Sequence, residues 1–459
     1  MTPHDVAGLA AAVRSGRVDP GEVLRETRAR IAARNGVLNA VVGDEPAGLE
    51  AEVERLRARV ARGDAMPLAG VPVVVKDVIW VKGERVTQGS LRFRDFVAPR
   101  DALAVERLRA AGALVVGMAN TSEFACKGVT VNQLYGPTRH PLDPALTPGG
   151  SSGGCAAAVA AGFVPLALGT DGGGSSRRPP AHVGVVGFKP SFGAIADPWG
   201  FEHAFLGLQV LAPIGRSVAD VAAMFEAVAG PHPHDPQSVP LPAADAPRPT
   251  RRLRLAWSPR FGLDTPVDDD VAACLQRAID ALRAADLDIV DADPAWPAGV
   301  GEEALMPLQH SALAHLHGDA WRADPAAFDP DVARQIERGL QWSGADVARA
   351  RAAGAAIGGA LAAFLDACDL LLCPTAPCVA WPLDRLGPAT IGGRAVEPRA
   401  HAVFTPFVNH ALAPAISIPC GSARAGLPVG LQVIAARGRD RQLLAAAREI
   451  EAILASQET

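Results

Sequence analysis

The stretch Thr147–Lys189, TPGGSSGGCAAAVAAGFVPLALGTDGGGSSRRPPAHVGVVGFK, limits most what this chain can fold into. Two glycine-flanked serine pairs, Ser151-Ser152 and Ser175-Ser176, bracket an apolar helix-then-strand segment. Glycine has no Cβ, so it accepts positive φ and lets a bound molecule approach the backbone closely. Gly172, Gly173 and Gly174 before Ser175 can therefore aim successive N–H groups into one concavity. Such a concavity suits a developing oxyanion. Ser175 reads as a nucleophile set inside its own oxyanion hole.

A serine nucleophile needs a base. The only histidine in the stretch is His182, and nothing nearby makes a Ser–His–Asp set. Far upstream, GVPVVVKDVIW offers Lys76. Val71 to Val75 is a short β-branched run that reads as a buried strand, with Lys76 at its end. A free lysine, with a pKa of ~10.4, is neutral in about one molecule in a thousand near pH 7. Burial depresses that pKa by roughly 3 units and so supplies a proton acceptor. Ser151 is then the relay between Lys76 and Ser175. Each feature also has a plainer reading. Lys76 can be ion-paired with the adjacent Asp77, and a Gly-Ser run can be only a loop. Neither glycine cluster reads G-x-x-x-x-G-K-[ST] or G-x-G-x-x-G, which argues against nucleotide binding.

Taken together, these words resemble the amidase signature family of serine hydrolases. The matching text is VPVVVKD at 71–77, SEFA at 122–125, YGPTRHPLDP at 135–144, TPGGSSGG at 147–154 and GTDGGGSSRRP at 169–179. Ser151 and Ser175 lie 24 residues apart, the family's spacing for its two catalytic serines. The resemblance implies Ser175 as acyl-forming nucleophile, Ser151 as a serine preceded by a cis peptide, and Lys76 as base. It implies an oxyanion hole from the amides of Gly172, Gly173, Gly174 and Ser175. The implied activity is hydrolysis of a small-molecule carboxylic amide, with neither metal nor organic cofactor. Two relatives of that activity stand beside it: the glutamine-hydrolysing A subunit of a tRNA-dependent amidotransferase, and hydrolases of urea-like amides of the biuret or allophanate type. The wording departs from the family's in places. Gly172 stands where threonine is frequent and Ser176 where isoleucine is, and Arg178 and His182 replace less polar residues. These changes leave Ser175 in place but alter loop stiffness and pocket polarity.

Around the motif, the strand ALVVG at 113–117 leads into ANTSEFACKGVT, whose Asn120, Thr121 and Ser122 are candidates for substrate contact. Asp171, Arg177 and Ser152 read as ties that hold the nucleophile loop. Strand–helix–strand order argues for parallel pairing, with ligands at the carboxyl ends of the strands. The expected fold is a single large α/β domain: a mixed, mostly parallel central sheet covered on both faces by helices. Residues 1–65 would be N-terminal helices, 66–225 the catalytic core, 226–252 a proline-rich linker, and 253–459 the part that completes sheet and cleft. Helices are expected over 302–365, where Trp321 and Trp342 are pocket candidates and packing is the default.

The net charge of −5 gives no basic footprint for nucleic acid. Seven cysteines, an odd number in a long chain, fit a reducing compartment better than a disulfide framework. Cys368, Cys373 and Cys378 lack C-x-x-C spacing, and His310, His315 and His317 do not share one helical face, so no metal site is expected. The N-terminus MTPHDVAGLAAAVRSG lacks a signal-peptide pattern, and the longest apolar run is too short for a bilayer. A cytoplasmic location without membrane contact is expected, and a homodimer is a reasonable expectation.

Overall fold

The computed structural model describes residues 5–242 and 252–456. Part of the expected proline-rich linker, residues 243–251, lies outside the described residues. In chain order the strands are β1 (Val41–Val42), β2 (Pro72–Lys76), β3 (Leu114–Ala119), β4 (Leu166–Asp171), β5 (Val186–Lys189), β6 (Val210–Gly215), β7 (Arg254–Trp257), β8 (Asp288–Asp291) and β9 (Leu370–Pro374). The small hairpin β10 (Thr390–Ile391) and β11 (Arg394–Ala395) follows, then β12 (Ala415–Ser422) and β13 (Pro428–Ala435). Apart from that hairpin they form one 11-stranded sheet in the order β1-β3-β2-β4-β6-β5-β12-β13-β9-β7-β8.

The molecule is a single large α/β domain with a mixed sheet flanked by helices. Parallel pairing is concentrated in two blocks, β3-β2-β4 and β9-β7-β8. Between and beside them the neighbours are antiparallel, so among the described residues four neighbour pairs of this sheet are parallel and six antiparallel. Connection length explains this. The helices Leu103–Ala110 and Gly153–Ala160 lie between β2 and β3 and between β3 and β4, long enough for parallel crossovers. Only 423–427 separates β12 from β13, which permits an antiparallel hairpin alone.

The apolar run before Lys76 is buried on both faces, with Val73, Val74 and Val75 fully inaccessible. That is the pattern of a strand covered on both sides. At the N-terminus the helices are Val6–Arg14, Pro20–Leu38 and Leu49–Ala61. Asp19 caps the second of them, accepting from the amides of Gly21 and Glu22, with Pro20 at the first helical position. Among the described residues no helix is long and apolar enough to cross a membrane.

Helix Gly153–Ala160, GGCAAAVA, is built from small residues because it lies against backbone. A Cβ on Gly154 would sit 2.4 Å from both the N and O of Asn120, at the end of β3. Gly154→Ala is therefore expected to force helix and strand apart and lower stability by about 1–3 kcal/mol, read from urea unfolding. An unchanged midpoint would show that this contact has slack.

Candidate active site

β2 and β4 are parallel neighbours, so their carboxyl ends emerge on the same edge of the sheet. β2 ends at Lys76, and β4 ends at Asp171 with the loop 172–176 after it. The loop before helix Gly153–Ala160 brings Ser151 between them, and the Gly150–Ser151 peptide bond is cis. Lys76 Nζ lies 2.9 Å from Ser151 Oγ, and Ser151 Oγ lies 2.9 Å from Ser175 Oγ. Lys76 Nζ also donates to Thr170 Oγ1 at 2.9 Å. The three side chains form one continuous file of hydrogen-bonding atoms. Lys76 and Ser151 are fully buried, and Ser175 at its end is 5% exposed.

Burial sets the electrostatics. Desolvation pushes the Lys76 ammonium down to about 8, opposed by the fields of Cys155, Asp171 and Cys126. Among the described residues Lys76 has no ion-pair partner. The adjacent Asp77 turns away from it and accepts from Thr87 N at 2.8 Å, from the Thr87 hydroxyl, and from Gly89 N at 3.4 Å. Burial raises the Asp77 carboxyl to about 7.

The loop that carries Ser175 hangs on Asp171. Its Oδ1 accepts from Gly174 N at 2.7 Å, and its Oδ2 accepts from the amide and hydroxyl of Ser176 at 3.1 and 2.9 Å. Arg177 grips both oxygens, with Nη2 2.9 Å from Oδ1 and Nε 3.0 Å from Oδ2. Burial alone would raise the Asp171 carboxyl, but the Arg177 charge and its hydrogen bonds hold it well below the usual carboxylate range. Both partners are fully buried. The remaining Arg177 donors reach the far end of the chain: Thr405 O at 3.1 Å, Gln432 Oε1 at 2.8 Å and Asn409 Oδ1 at 2.5 Å. Thr405 also donates to Gly173 O at 2.8 Å. Gly174 sits at φ +118°, and a Cβ there would lie 2.1 Å from Thr405 Oγ1, so only glycine fits.

The amide of Gly174 is therefore already engaged by Asp171 and drops out of the expected oxyanion set. Among the described residues the amides of Gly172, Gly173 and Ser175 donate to no protein acceptor. Gly173 faces open space, where a Cβ would meet nothing within 4 Å. That space is a cleft of about 160 Å³ with Ser175 at its base. Its walls are the segment 125–128, helices Glu302–Ala323 and Pro330–Gly339, and the segment 398–410.

A model of the family described as Amidase matches residues 22–444 of this chain. The chain belongs to the amidase signature family. An acylamidase of Rhodococcus erythropolis is 34% identical over 456 residues, which cover 97% of this chain and 94% of that protein. The A subunit of the glutamyl-tRNA(Gln) amidotransferase of Deinococcus radiodurans is 36% identical over 482 residues, covering 98% and 97%. The crystal structure of a bacterial aryl acylamidase of the same family superposes with a TM-score of 0.89 at 26% identity, covering 98% of this chain and 96% of that one. Membership makes the protein an amide C–N hydrolase.

In this amidase the expected substrate contacts do not reach the cleft. Asn120, Thr121 and Ser122 are fully buried. Asn120 Nδ2 donates to Gly136 O and Thr138 Oγ1, while its Oδ1 accepts from Thr121 N and Asn132 Nδ2. It is a knot that fixes the loop after β3. Thr121 Oγ1 donates to Ser122 O, and Ser122 Oγ accepts from Lys127 N. The loop does supply the cleft a few residues later, through Ala125, Cys126, Lys127 and Gly128. Ser152 donates to Thr170 O at 3.1 Å. Trp321 and Trp342 do not line the cleft; Leu305, Met306 and Gln309 do. Among the described residues no group of three histidine, cysteine or carboxylate side chains is placed to hold a metal ion.

Sequence reasoning passed over Thr170, Thr405, Asn409 and Gln432. Thr170 stood inside the GTDGGGSS word and was open to notice. The other three are brought to the loop only by folding. Because breaking a buried ion pair strands a charge, Arg177→Met is expected to cost about 3–5 kcal/mol of stability in urea unfolding. A loss below ~1 kcal/mol would mean that the loop is held by something else.

Proposed function

We propose that the protein hydrolyses a carboxylic amide through an acyl-enzyme on Ser175, with Ser151 relaying protons to and from Lys76. The unbroken file from Lys76 Nζ through Ser151 Oγ to Ser175 Oγ carries this reading, at 2.9 Å for each link. Nζ donates along the file when it is charged. Once neutral, it presents a lone pair, and both hydroxyls turn so that Ser175 donates to Ser151 and Ser151 to Lys76. Thr170 Oγ1 occupies one Nζ hydrogen at 2.9 Å and so helps aim the lone pair.

Ser175 Oγ attacks the carbonyl carbon while its proton passes to Ser151 and the Ser151 proton passes to Lys76. The amides of Gly172, Gly173 and Ser175, residues that line the cleft, have no protein acceptor among the described residues and are the candidates for the oxyanion; that of Gly174 helps only by fixing the loop. The C–N bond breaks as Ser151 returns a proton to the leaving nitrogen. Water enters by the same relay, and the ester yields a carboxylate and free Ser175. Asp171 and Arg177 act at one remove, by holding Ser175 and the open amides in place.

A second reading, glutamine hydrolysis as the A subunit of an amidotransferase, is favoured by the relative from Deinococcus radiodurans. Ammonia release from glutamine, measured alone and with candidate partner proteins, separates the two. Such a subunit gains activity from its partners, whereas a free-standing amidase works alone on a panel of aliphatic and aryl amides.

Ser175→Ala is expected to abolish turnover and labelling by a fluorophosphonate while leaving the fold intact by circular dichroism. Retained turnover would remove Ser175 from the reaction. The pH dependence has a defined sign. The base must be neutral and Lys76 is held at about 8, so kcat/KM should rise with pH and level off above about 8. At two units below that pKa about one molecule in a hundred has the neutral amine, so the rate should be roughly 100-fold down. A profile flat from pH ~6 to ~9 would exclude Lys76 as the titrating base.

A further inference from the structure

Gly172 is a glycine for lack of space, not for its backbone. Its φ lies outside the left-handed region, so its conformation does not by itself call for glycine. A Cβ there would lie 2.7, 2.8 and 2.9 Å from Cγ, Cδ1 and Cδ2 of Phe205. The Phe205 ring thus fills the space that a side chain at 172 would need. Both residues line the cleft above Ser175. The ring is firmly seated. It is 8% exposed and belongs to an apolar cluster with Phe124, Leu313, Phe328, Val332 and Ile336, so helices Glu302–Ala323 and Pro330–Gly339 back it. The turn that carries it is held as well. Leu206 and Gly207 follow at φ +40° and +83°, Leu208 N donates to Phe205 O at 3.1 Å, and Arg351 Nη1 donates to Leu206 O at 3.2 Å. A non-glycine residue in the left-handed region costs energy that the surrounding contacts must offset, and such residues cluster where a side chain has to be aimed.

The amide of Gly172 is one of those without a protein acceptor among the described residues. An oxyanion about 2.9 Å from that nitrogen brings the carbonyl carbon and its substituents within reach of whatever side chain covers Gly172. Of those substituents, the nitrogen must meet Ser151, which protonates it, and the acyl carbon stays on Ser175. A ring closed over Gly172 leaves room beside it for a methylene but not for a second or third branch. We propose that Phe205 is a specificity-determining residue: seated on Gly172, it limits the bulk on the carbon bonded to the scissile carbonyl, so that the protein takes acyl groups unbranched at that carbon. The inference rests on the amide-hydrolase reading and names a substrate class for that site. Leu208, Leu305, Met306 and Leu308 also line the cleft and offer apolar surface to the rest of an unbranched chain.

The test uses p-nitrophenyl propionate, isobutyrate and pivalate, because an activated ester acylates Ser175 without calling for a particular amine. The series places successively more methyl groups on the carbon in question. The quantity read is the ratio of propionate to pivalate acylation rates, compared between the wild type and Phe205→Ala, so that the intrinsic reactivities of the esters cancel. The ratio should fall roughly 10- to 100-fold in Phe205→Ala, the range for a methylene-sized misfit, and mostly through faster pivalate. Phe205→Leu keeps an apolar side chain in the cluster and should fall between the two, which guards against a misfolded alanine variant. A ratio unchanged in both variants would overturn the proposal. Gly172→Ala supplies the reciprocal test. It should slow propionate acylation about tenfold or more, and adding Phe205→Ala should recover most of that loss. An equal loss in both backgrounds would show that the ring and the glycine are not a matched pair. Failure of the hydrolase reading looks different: no ester leaves an acyl group on Ser175 by intact mass and a fluorophosphonate does not label it, in the wild type or the variants, and the size limit falls with it. Failure of the Phe205 assignment alone leaves Ser175 acylated with its tolerance of bulk unchanged.

Discussion

The site depends first on a fully buried ion pair. Arg177 and Asp171 are both inaccessible to water, and the pair joins parts of the chain more than two hundred residues apart. A buried pair gains little net stability, because desolvating two charges offsets most of their attraction. Its value lies in geometry. Asp171 accepts from Gly174, Ser176 and Arg177, and also from Asn409 Nδ2 at 2.9 Å, which leaves the loop few other shapes. Arg177 then fixes that loop to Thr405, Asn409 and Gln432, so Ser175 is referenced to both halves of the sheet. The positive φ of Gly174 and the open face of Gly173 follow from this arrangement.

The file from Lys76 to Ser175 uses burial in the opposite sense. Lys76 is surrounded by apolar strand and hydroxyl groups, and Asp77 is held elsewhere by Thr87 and Gly89. A carboxylate at hydrogen-bonding distance would have stabilised the ammonium and kept the lysine charged. Hydroxyl partners can both donate and accept, so they serve either protonation state. The fold thus places its cation and its counter-ion separately: Arg177 receives a carboxylate, and Lys76 receives hydroxyls.

Much of the outline was legible along the chain. The β-branched run before Lys76, the small-residue helix after Ser152 and the strand before Asp171 each carry a local signal, and each is found within a few residues of where periodicity put it. β5 and β6 gave weaker signals, since glycine and proline interrupt Val186–Lys189 and Val210–Gly215. They pair with β4 and β12 through the sheet and not through local propensity. In the site, Asn120, Thr121 and Ser122 looked like pocket residues because they are polar and follow a strand. Their polar atoms instead satisfy the backbone of the loop, as buried polar groups must.

The sequence by itself determined which residues are the candidates for the chemistry. Lys76, Ser151 and Ser175 stand in words whose glycines and strand signals are local, and local signals survive in a one-dimensional reading. The tertiary structure decided which donors remain free and what lines the cleft. The engagement of the Gly174 amide and the anchoring of Arg177 by Asn409 and Gln432 depend on segments brought together by the sheet order. Hydrogen-bond partners compete across space, and no periodicity records who wins when the competitors are hundreds of residues apart.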